Sequence, residues 1–191
     1  MKRFTTRMLV TMALLSAIEV VLARFIVPMP NPTMRFSIEA VPIIVAGYLY
    51  GPVAGAIVGL VGDAVGTLFS GYGYNPLFAV PPMLIGLCAG LLRFLPLKKP
   101  SFLRILAAFL PAVALGSVLW QSYWLSFFYG THSFVWFLGS RAVQFAITSL
   151  VNAAVIFGLF KSRVFDTLHL WPPVRAEAAE ANNDNKASVI L

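Results

Sequence analysis

The stretch GYLYGPVAGAIVGLVGDAVG, residues 47–66, places glycine at positions 47, 51, 55 and 59 and again at 62 and 66, and its one charged residue is Asp63. Glycine at every fourth position strips the side chains from one face of an α-helix, so a neighbouring helix can approach backbone to backbone. Between membrane helices, where escape from water gives no drive to associate, that close contact is itself what holds them together. The ladder runs through Gly51-Pro52. Proline at the first turn of a helix loses nothing by lacking an N–H, so the stretch reads as two helices in a tight hairpin. Gly47, Gly51, Gly55 and Gly59 are expected to form their packing face.

Around this hairpin the chain is apolar throughout: 59% of its 191 residues are hydrophobic and 11% charged, far from the composition of a soluble domain. Apolar stretches at 8–26, 38–50, 53–69, 76–95, 105–128 and 138–160 predict an all-α integral membrane protein, a bundle of six transmembrane helices occupying residues 1–165. The stretch 38–50 is shorter than the roughly 20 residues that cross a bilayer. The first stretch contains Glu19 and Arg24 and is followed by no small-residue cleavage site, which argues against a secretory signal. Residues 166–191, polar from Trp171 onward, are expected to be a disordered cytoplasmic tail.

The basic residues give the orientation. With the N-terminus inside, Lys2, Arg3, Arg7, Arg93, Lys98, Lys99, Arg104, Lys161, Arg163, Arg175 and Lys186 all fall on the cytoplasmic side, 11 of the 14. The excess of positive charge inside predicts six spans with both termini cytoplasmic. The net charge of +7 is then a signal of topology and gives no support to nucleic-acid binding.

This orientation gathers the polar groups of the spans on the outward side. Arg24, Arg35, Glu39, Asp63, Asn75, Gln121, Arg141 and Gln144 fall in or at the outer half, Glu19 just past the middle, and Asn152 near the midplane. A charge at the centre of a span costs on the order of 2.5 to 3.5 kcal/mol, so such groups face a bundle interior, a partner or water. Together they predict an outward-open cavity for an anionic ligand with a polar ring, arginine gripping carboxylates as a bidentate fork. The competing account is that Arg24, Arg35 and Glu39 sit at the interface and that Glu19 and Asp63 pair with arginines for structure. Tyr72, Tyr74 and Trp124 are candidates to stack on the ring, while Phe78, Tyr123, Phe127, Tyr129 and Trp136 read as an interfacial aromatic belt. On the first helix Ala13 and Ala17 make a smooth patch about 140° from Glu19, suited to another membrane helix.

Several chemistries are excluded. No phosphate-binding Gly-x-x-x-x-Gly-Lys-Ser/Thr loop, His-Glu-x-x-His helix or Gly-x-Ser-x-Gly elbow occurs, so ATP energy would have to come from a partner. His132 and His169 lack companions at metal spacing, and Cys88 is the only cysteine. Neither a metal nor a cofactor is expected. An enzyme would need a convergent acid, base or nucleophile set, and only Glu19 and Asp63 offer one.

The segment Pro32-Thr33-Met34-Arg35-Phe36-Ser37-Ile38-Glu39-Ala40-Val41-Pro42, the glycine hairpin with Gly62-Asp63, and Tyr74-Asn75-Pro76-Leu77-Phe78 resemble the substrate-binding S components of energy-coupling factor (ECF) vitamin transporters, most closely the folate-specific branch. The resemblance runs from Thr5 to about Lys161. It implies a subunit, not an enzyme, of the bacterial cell membrane that captures one vitamin, with folate favoured. It also implies a transmembrane coupling subunit, docked at Ala13 and Ala17, and two cytoplasmic ATPases. Glu39 departs from the folate-branch pattern, which keeps riboflavin, a queuosine precursor, pantothenate and a thiamine precursor open, as a small intramembrane enzyme is from outside the family.

Overall fold

The structure, a computed structural model, describes residues 5–24, 37–69, 74–91, 101–129 and 133–162. Arg35, Tyr72, the predicted tail and the ends of the predicted first and fourth helices lie outside these residues. The elements are α1 (Thr6–Arg24), α2 (Ala40–Tyr50), α3 (Pro52–Leu68), α4 (Pro76–Leu91), α5 (Phe102–Ala112), a π-helical segment (Val113–Trp120), α6 (Gln121–Tyr129) and α7 (Phe134–Lys161). Helical dihedrals continue through Val113 (φ −64°, ψ −46°) and Gln121 (φ −71°, ψ −34°), so α5, the π segment and α6 form one rod. The described residues thus make six helical rods. The last begins four residues before the predicted 138, because Ser133 in extended conformation (φ −68°, ψ 154°) starts the helix directly at the apolar Phe134.

Three rods, over Thr6–Ala23, Phe102–Phe128 and Phe134–Lys161, are long and apolar enough to cross a membrane; Ala40–Tyr50, Pro52–Leu68 and Pro76–Leu91 are apolar but shorter. At 1.5 Å per residue the 11 residues of α2 cover only about half of a 30 Å hydrocarbon layer. That shortness goes with centrality. Every residue of α2 from Ala40 to Leu49 is buried, and the helix packs against α1, α3, α4 and α7.

The turn between α2 and α3 is a single residue. Gly51 takes φ 101°, a conformation open to glycine and strained for other residues. Its N–H caps α2 by bonding to the Gly47 carbonyl at 2.8 Å, its own carbonyl accepts the Gly55 N–H at 3.1 Å, and Pro52 begins α3. The glycine faces then meet α4. A Cβ on Gly55 would lie 2.5 Å from the Gly86 carbonyl oxygen and 2.8 Å from the Gly47 Cα; one on Gly47 would lie 2.7 Å from the same oxygen; one on Gly59 would lie 2.5 Å from the Pro82 carbonyl. Real Cβ atoms do not come so close to backbone.

Helix α4 carries Pro81 and Pro82 in its interior. A proline removes the N–H that would bond four residues back, so Pro81 releases the carbonyl of Leu77. The indole of Trp120, at the end of the π segment, donates to that carbonyl at 2.9 Å. A neighbouring rod therefore supplies the missing donor, as it must where no water is available.

Gly55→Ala should lower the melting temperature in detergent, costing about 1–3 kcal/mol as α3 and α4 are forced apart. Gly139→Ala is the control. An added Cβ there meets nothing within 4 Å, so the higher helix propensity of alanine should leave stability unchanged or raise it by up to about 1 kcal/mol.

Candidate functional site

Charge and hydrogen-bonding capacity enter the interior on α1, on the fifth rod and on α7. On α1 the inward face is Met12, Ser16, Glu19, Val20 and Ala23, all buried. Glu19 is 3% exposed, and its carboxylate occupies the space that a side chain on Gly62 of α3 would need. The absence of a Cβ at Gly62 is thus what admits the carboxylate, next door to half-buried Asp63.

Across the bundle, Arg141 of α7 is 6% exposed. Its Nη1 donates to Gln121 Oε1 at 3.0 Å and approaches the Ser117 carbonyl at 3.4 Å, and its guanidinium carbon lies 5.7 Å from the centre of the Phe145 ring. The π segment makes this possible. In an α-helix the Gln121 N–H would take the Ser117 carbonyl, but here it is directed to the carbonyls of Gly116 and Val118. Ser117 can then present its oxygen to the arginine. Two neutral acceptors and an aromatic face are thus among the groups that orient this buried cation.

Below Arg141 on the same face of α7 lie Gln144, Thr148 and Asn152, all buried, with Ser149 beside them. The Thr148 hydroxyl donates to the Gln144 carbonyl at 3.0 Å, and Asn152 Nδ2 donates to the Thr148 carbonyl at 2.7 Å. Beside Gln121, on α6, Ser122 is fully buried and its hydroxyl has no partner among the described residues. Trp124 packs among Trp120, Tyr123, Phe127 and Phe128 with ring centres 5.5–5.9 Å apart, stacked on Phe128 and edge-on to the others. Its buried Nε1 likewise has no partner among the described residues. A buried donor or acceptor left without a partner costs about 1–3 kcal/mol, so each of these two groups calls for a partner that the described residues do not supply.

Of the residues singled out by sequence, the fold brings Gln121, Arg141 and Gln144 together on the α6 and α7 side, with Trp124 on the same α6. Glu39 sits half-buried just before α2 and makes no side-chain cap. Tyr74 is 46% exposed. Asn75 has a structural role, since its Oδ1 accepts the Leu77 N–H at 3.1 Å and its carbonyl accepts the Phe78 N–H at 3.0 Å, which makes it the N-cap of α4. The Arg24 side chain and Arg35 lie outside the described residues. Ala13 and Ala17 are exposed on α1 amid exposed Val10, Leu14, Ile18 and Val21. Sequence reasoning leaves out Ser117, which acts through its backbone, and Thr148, and it sets Asn152 apart at the midplane. The signal for Thr148 and Asn152 was their place seven and eleven residues along from Arg141, on the face that Gln144 shares.

The described residues thus form a six-rod apolar bundle with a buried cation and buried polar groups on one side. Residues 7–160 match the family model described as ECF transporter, substrate-specific component. The chain belongs to this family. S components of this kind are membrane-embedded binding subunits of transporters. A Clostridium novyi (strain NT) protein named Folate transporter FolT is 29% identical over 154 residues, covering 80% of this chain and 87% of that one. Among solved structures, one described as FolT bound with folic acid aligns with a TM-score of 0.70 at 27% identity, covering 82% of this chain and 93% of the other. A second, described as the S component of a bacterial ECF transporter, aligns with a TM-score of 0.62 at 26% identity over 85% of this chain and 97% of the other.

Asn75→Ala should cost about 1 kcal/mol through loss of the α4 cap, whereas Asn75→Asp, an equally good cap, should keep the wild-type melting temperature. Thermal unfolding of the two variants in detergent checks this.

Proposed function

We propose that this S component captures folate or a closely related dianionic vitamin from outside the cell, in a cavity lined by α1, the fifth rod and α7. The observation that carries the reading is Arg141: a buried guanidinium oriented by Gln121 and the Ser117 carbonyl suits the carboxylates of a glutamate tail. Support for the ring comes from the likeness to a protein named as a folate transporter and to a structure described as bound with folic acid. Gln144 and the Trp124 indole would then address a flat heterocycle, with Arg24, Arg35, Glu39, Asp63 and Tyr74 as further candidate contacts and Asn75 acting mainly through the α4 cap. The half-buried Glu39 carboxylate favours, as a second reading, an S component for a vitamin with more donors on its ring.

In this scheme the protein crosses the bacterial cell membrane six times with both termini cytoplasmic. Its partners are a transmembrane coupling subunit and two cytoplasmic ATPases that supply the energy. The exposed α1 face around Ala13 and Ala17 is the proposed seat of the coupling subunit, since small residues there let a second helix come close.

Native mass spectrometry of the protein from its own membranes tests the ligand. Retained folate or a reduced folate is expected; another vitamin would keep the transport class and overturn the substrate. Arg141→Ala should weaken folic acid binding by about 10-fold or more, the scale of a lost charge-assisted hydrogen bond; equal affinity in a titration of purified variant would sink the role of Arg141. Ala13→Leu or Ala17→Leu should abolish uptake while leaving binding intact, and a variant that still co-purifies with the coupling subunit would contradict the docking face.

A further inference from the structure

The π segment calls for a cause, because π-helical backbone is rare and mostly confined to a single turn. This one runs for eight residues, Val113–Trp120. Two contacts with α4 bracket its outer half. A Cβ on Gly116 would lie 3.1 Å from the Pro81 Cα, and the Trp120 indole donates to the Leu77 carbonyl at 2.9 Å. The two contacts are four residues apart on each helix and follow opposite chain directions, as antiparallel neighbours require. About one turn, or 6 Å of axis, separates them.

The groups that meet Arg141 come next in sequence to these anchors. Ser117 follows Gly116, and Gln121 follows Trp120. Consecutive residues of a helix point about 100° apart, so a rod fastened to α4 through Gly116 and Trp120 turns Ser117 and Gln121 toward a different neighbour. That neighbour is α7, whose Arg141 Nη1 donates to Gln121 Oε1 at 3.0 Å and approaches the Ser117 carbonyl at 3.4 Å. The Ser117 carbonyl is available because the Gln121 N–H bonds five residues back to Gly116, and to Val118.

Of the two anchors, the indole bond is the one that resists rotation. Pro81 lacks the N–H that would take the Leu77 carbonyl, and α4 fixes where that carbonyl stands. The end of the π segment therefore cannot turn about the rod axis without breaking the bond. Pro111 is the rival cause. It lies inside α5, two residues before the π segment, and removes the N–H that would bond to the Ala107 carbonyl.

We propose that Trp120 is a positioning residue for the binding site: its indole N–H, bonded to the Leu77 carbonyl, holds the fifth rod in the π register that presents Ser117 and Gln121 to Arg141. Without that bond the segment relaxes to α-helical bonding. The Gln121 N–H then takes the Ser117 carbonyl, and Arg141 loses one acceptor and its alignment with the other. Trp120 is 38% exposed and acts through the backbone of its rod, not by touching the captured molecule. The proposal rests on the reading of Arg141 as the grip on an anionic ligand.

The test separates register from stability. Trp120→Phe keeps an aromatic ring but removes the donor, leaving the Leu77 carbonyl without it. The full-length variant in detergent should melt at a lower temperature and bind folic acid about 10-fold more weakly, the scale of a lost hydrogen bond to a charged group. Adding Pro81→Ala gives the Leu77 carbonyl a backbone N–H. The double variant should regain the wild-type melting temperature yet keep the weakened binding, because nothing then fastens the π segment. Its ligand-free structure should show the Gln121 N–H on the Ser117 carbonyl. Binding that recovers together with stability, unchanged binding by Trp120→Phe, or a π segment preserved in the double variant overturns the proposal, the last result passing the role to Pro111. If Trp120→Phe does not fold, the double variant carries the test alone. A double variant that does not fold also overturns it, since the two faults then fail to cancel. If wild type binds no folic acid, or Arg141→Ala binds it as wild type does, the reading of the site falls, and the ligand-free structure alone decides whether Trp120 sets the register.

Discussion

Backbone contact among α2, α3 and α4 is the constraint on which the rest of the bundle depends. With Gly47, Gly55, Gly59 and Gly86 set against backbone atoms of neighbouring helices, no room is left between these three helices for a polar side chain, let alone a ligand. The distribution of buried polar groups follows. Among the described residues, buried Ser16 and Glu19 are on α1, Ser117 and Ser122 on the fifth rod, and Arg141, Gln144, Thr148, Ser149 and Asn152 on α7. Close packing on one side of the molecule supplies the stability that lets the other side carry polar and charged groups, each of which is a cost in a membrane interior.

Much of this division is legible in the sequence. The glycine ladder, the one-residue turn at Gly51-Pro52 and the run of apolar stretches are local signals, and local signals survive into the fold. Depth is partly legible as well: Gln121, Arg141 and Gln144 lie on the same side of the bundle because two antiparallel rods of known length bring them level. What spacing does not convey is the use of backbone. Asn75 looks like a polar ring-reader when side chains alone are considered, yet its oxygen is occupied by the Leu77 N–H. Gly62 looks like part of the packing ladder, yet its missing Cβ makes the space for Glu19. Each depends on a contact with an atom that the pattern of residue types does not reveal.

The two irregular helices show why the site also escapes a helical wheel. A periodicity of 3.6 carried from Phe102 to Tyr129 misplaces everything beyond Val113, because the π segment lets successive residues fall on a different face. Gln121 reaches Arg141 only with that shift. The shift has a partner in α4. Gly116 of the π segment packs on Pro81, where a Cβ on the glycine would lie 3.1 Å from the Pro81 Cα, and Trp120 bonds to the carbonyl that Pro81 releases.

Each irregularity therefore covers a deficit of the other. Proline leaves α4 short of a donor, and the π segment delivers the Trp120 N–H to it. The same π segment diverts the Gln121 N–H away from Ser117, and the carbonyl so released turns to Arg141. In water either fault could be met by solvent, but within a membrane the groups have to satisfy one another. The chain of dependence runs from Pro81 through Trp120 and Ser117 to Arg141. Helix α4 thus helps to set the orientation of the buried cation, although the bonds from Arg141 Nη1 go to Gln121 and Ser117 of the fifth rod. A substitution at Pro81 would act on the site through the backbone of that rod.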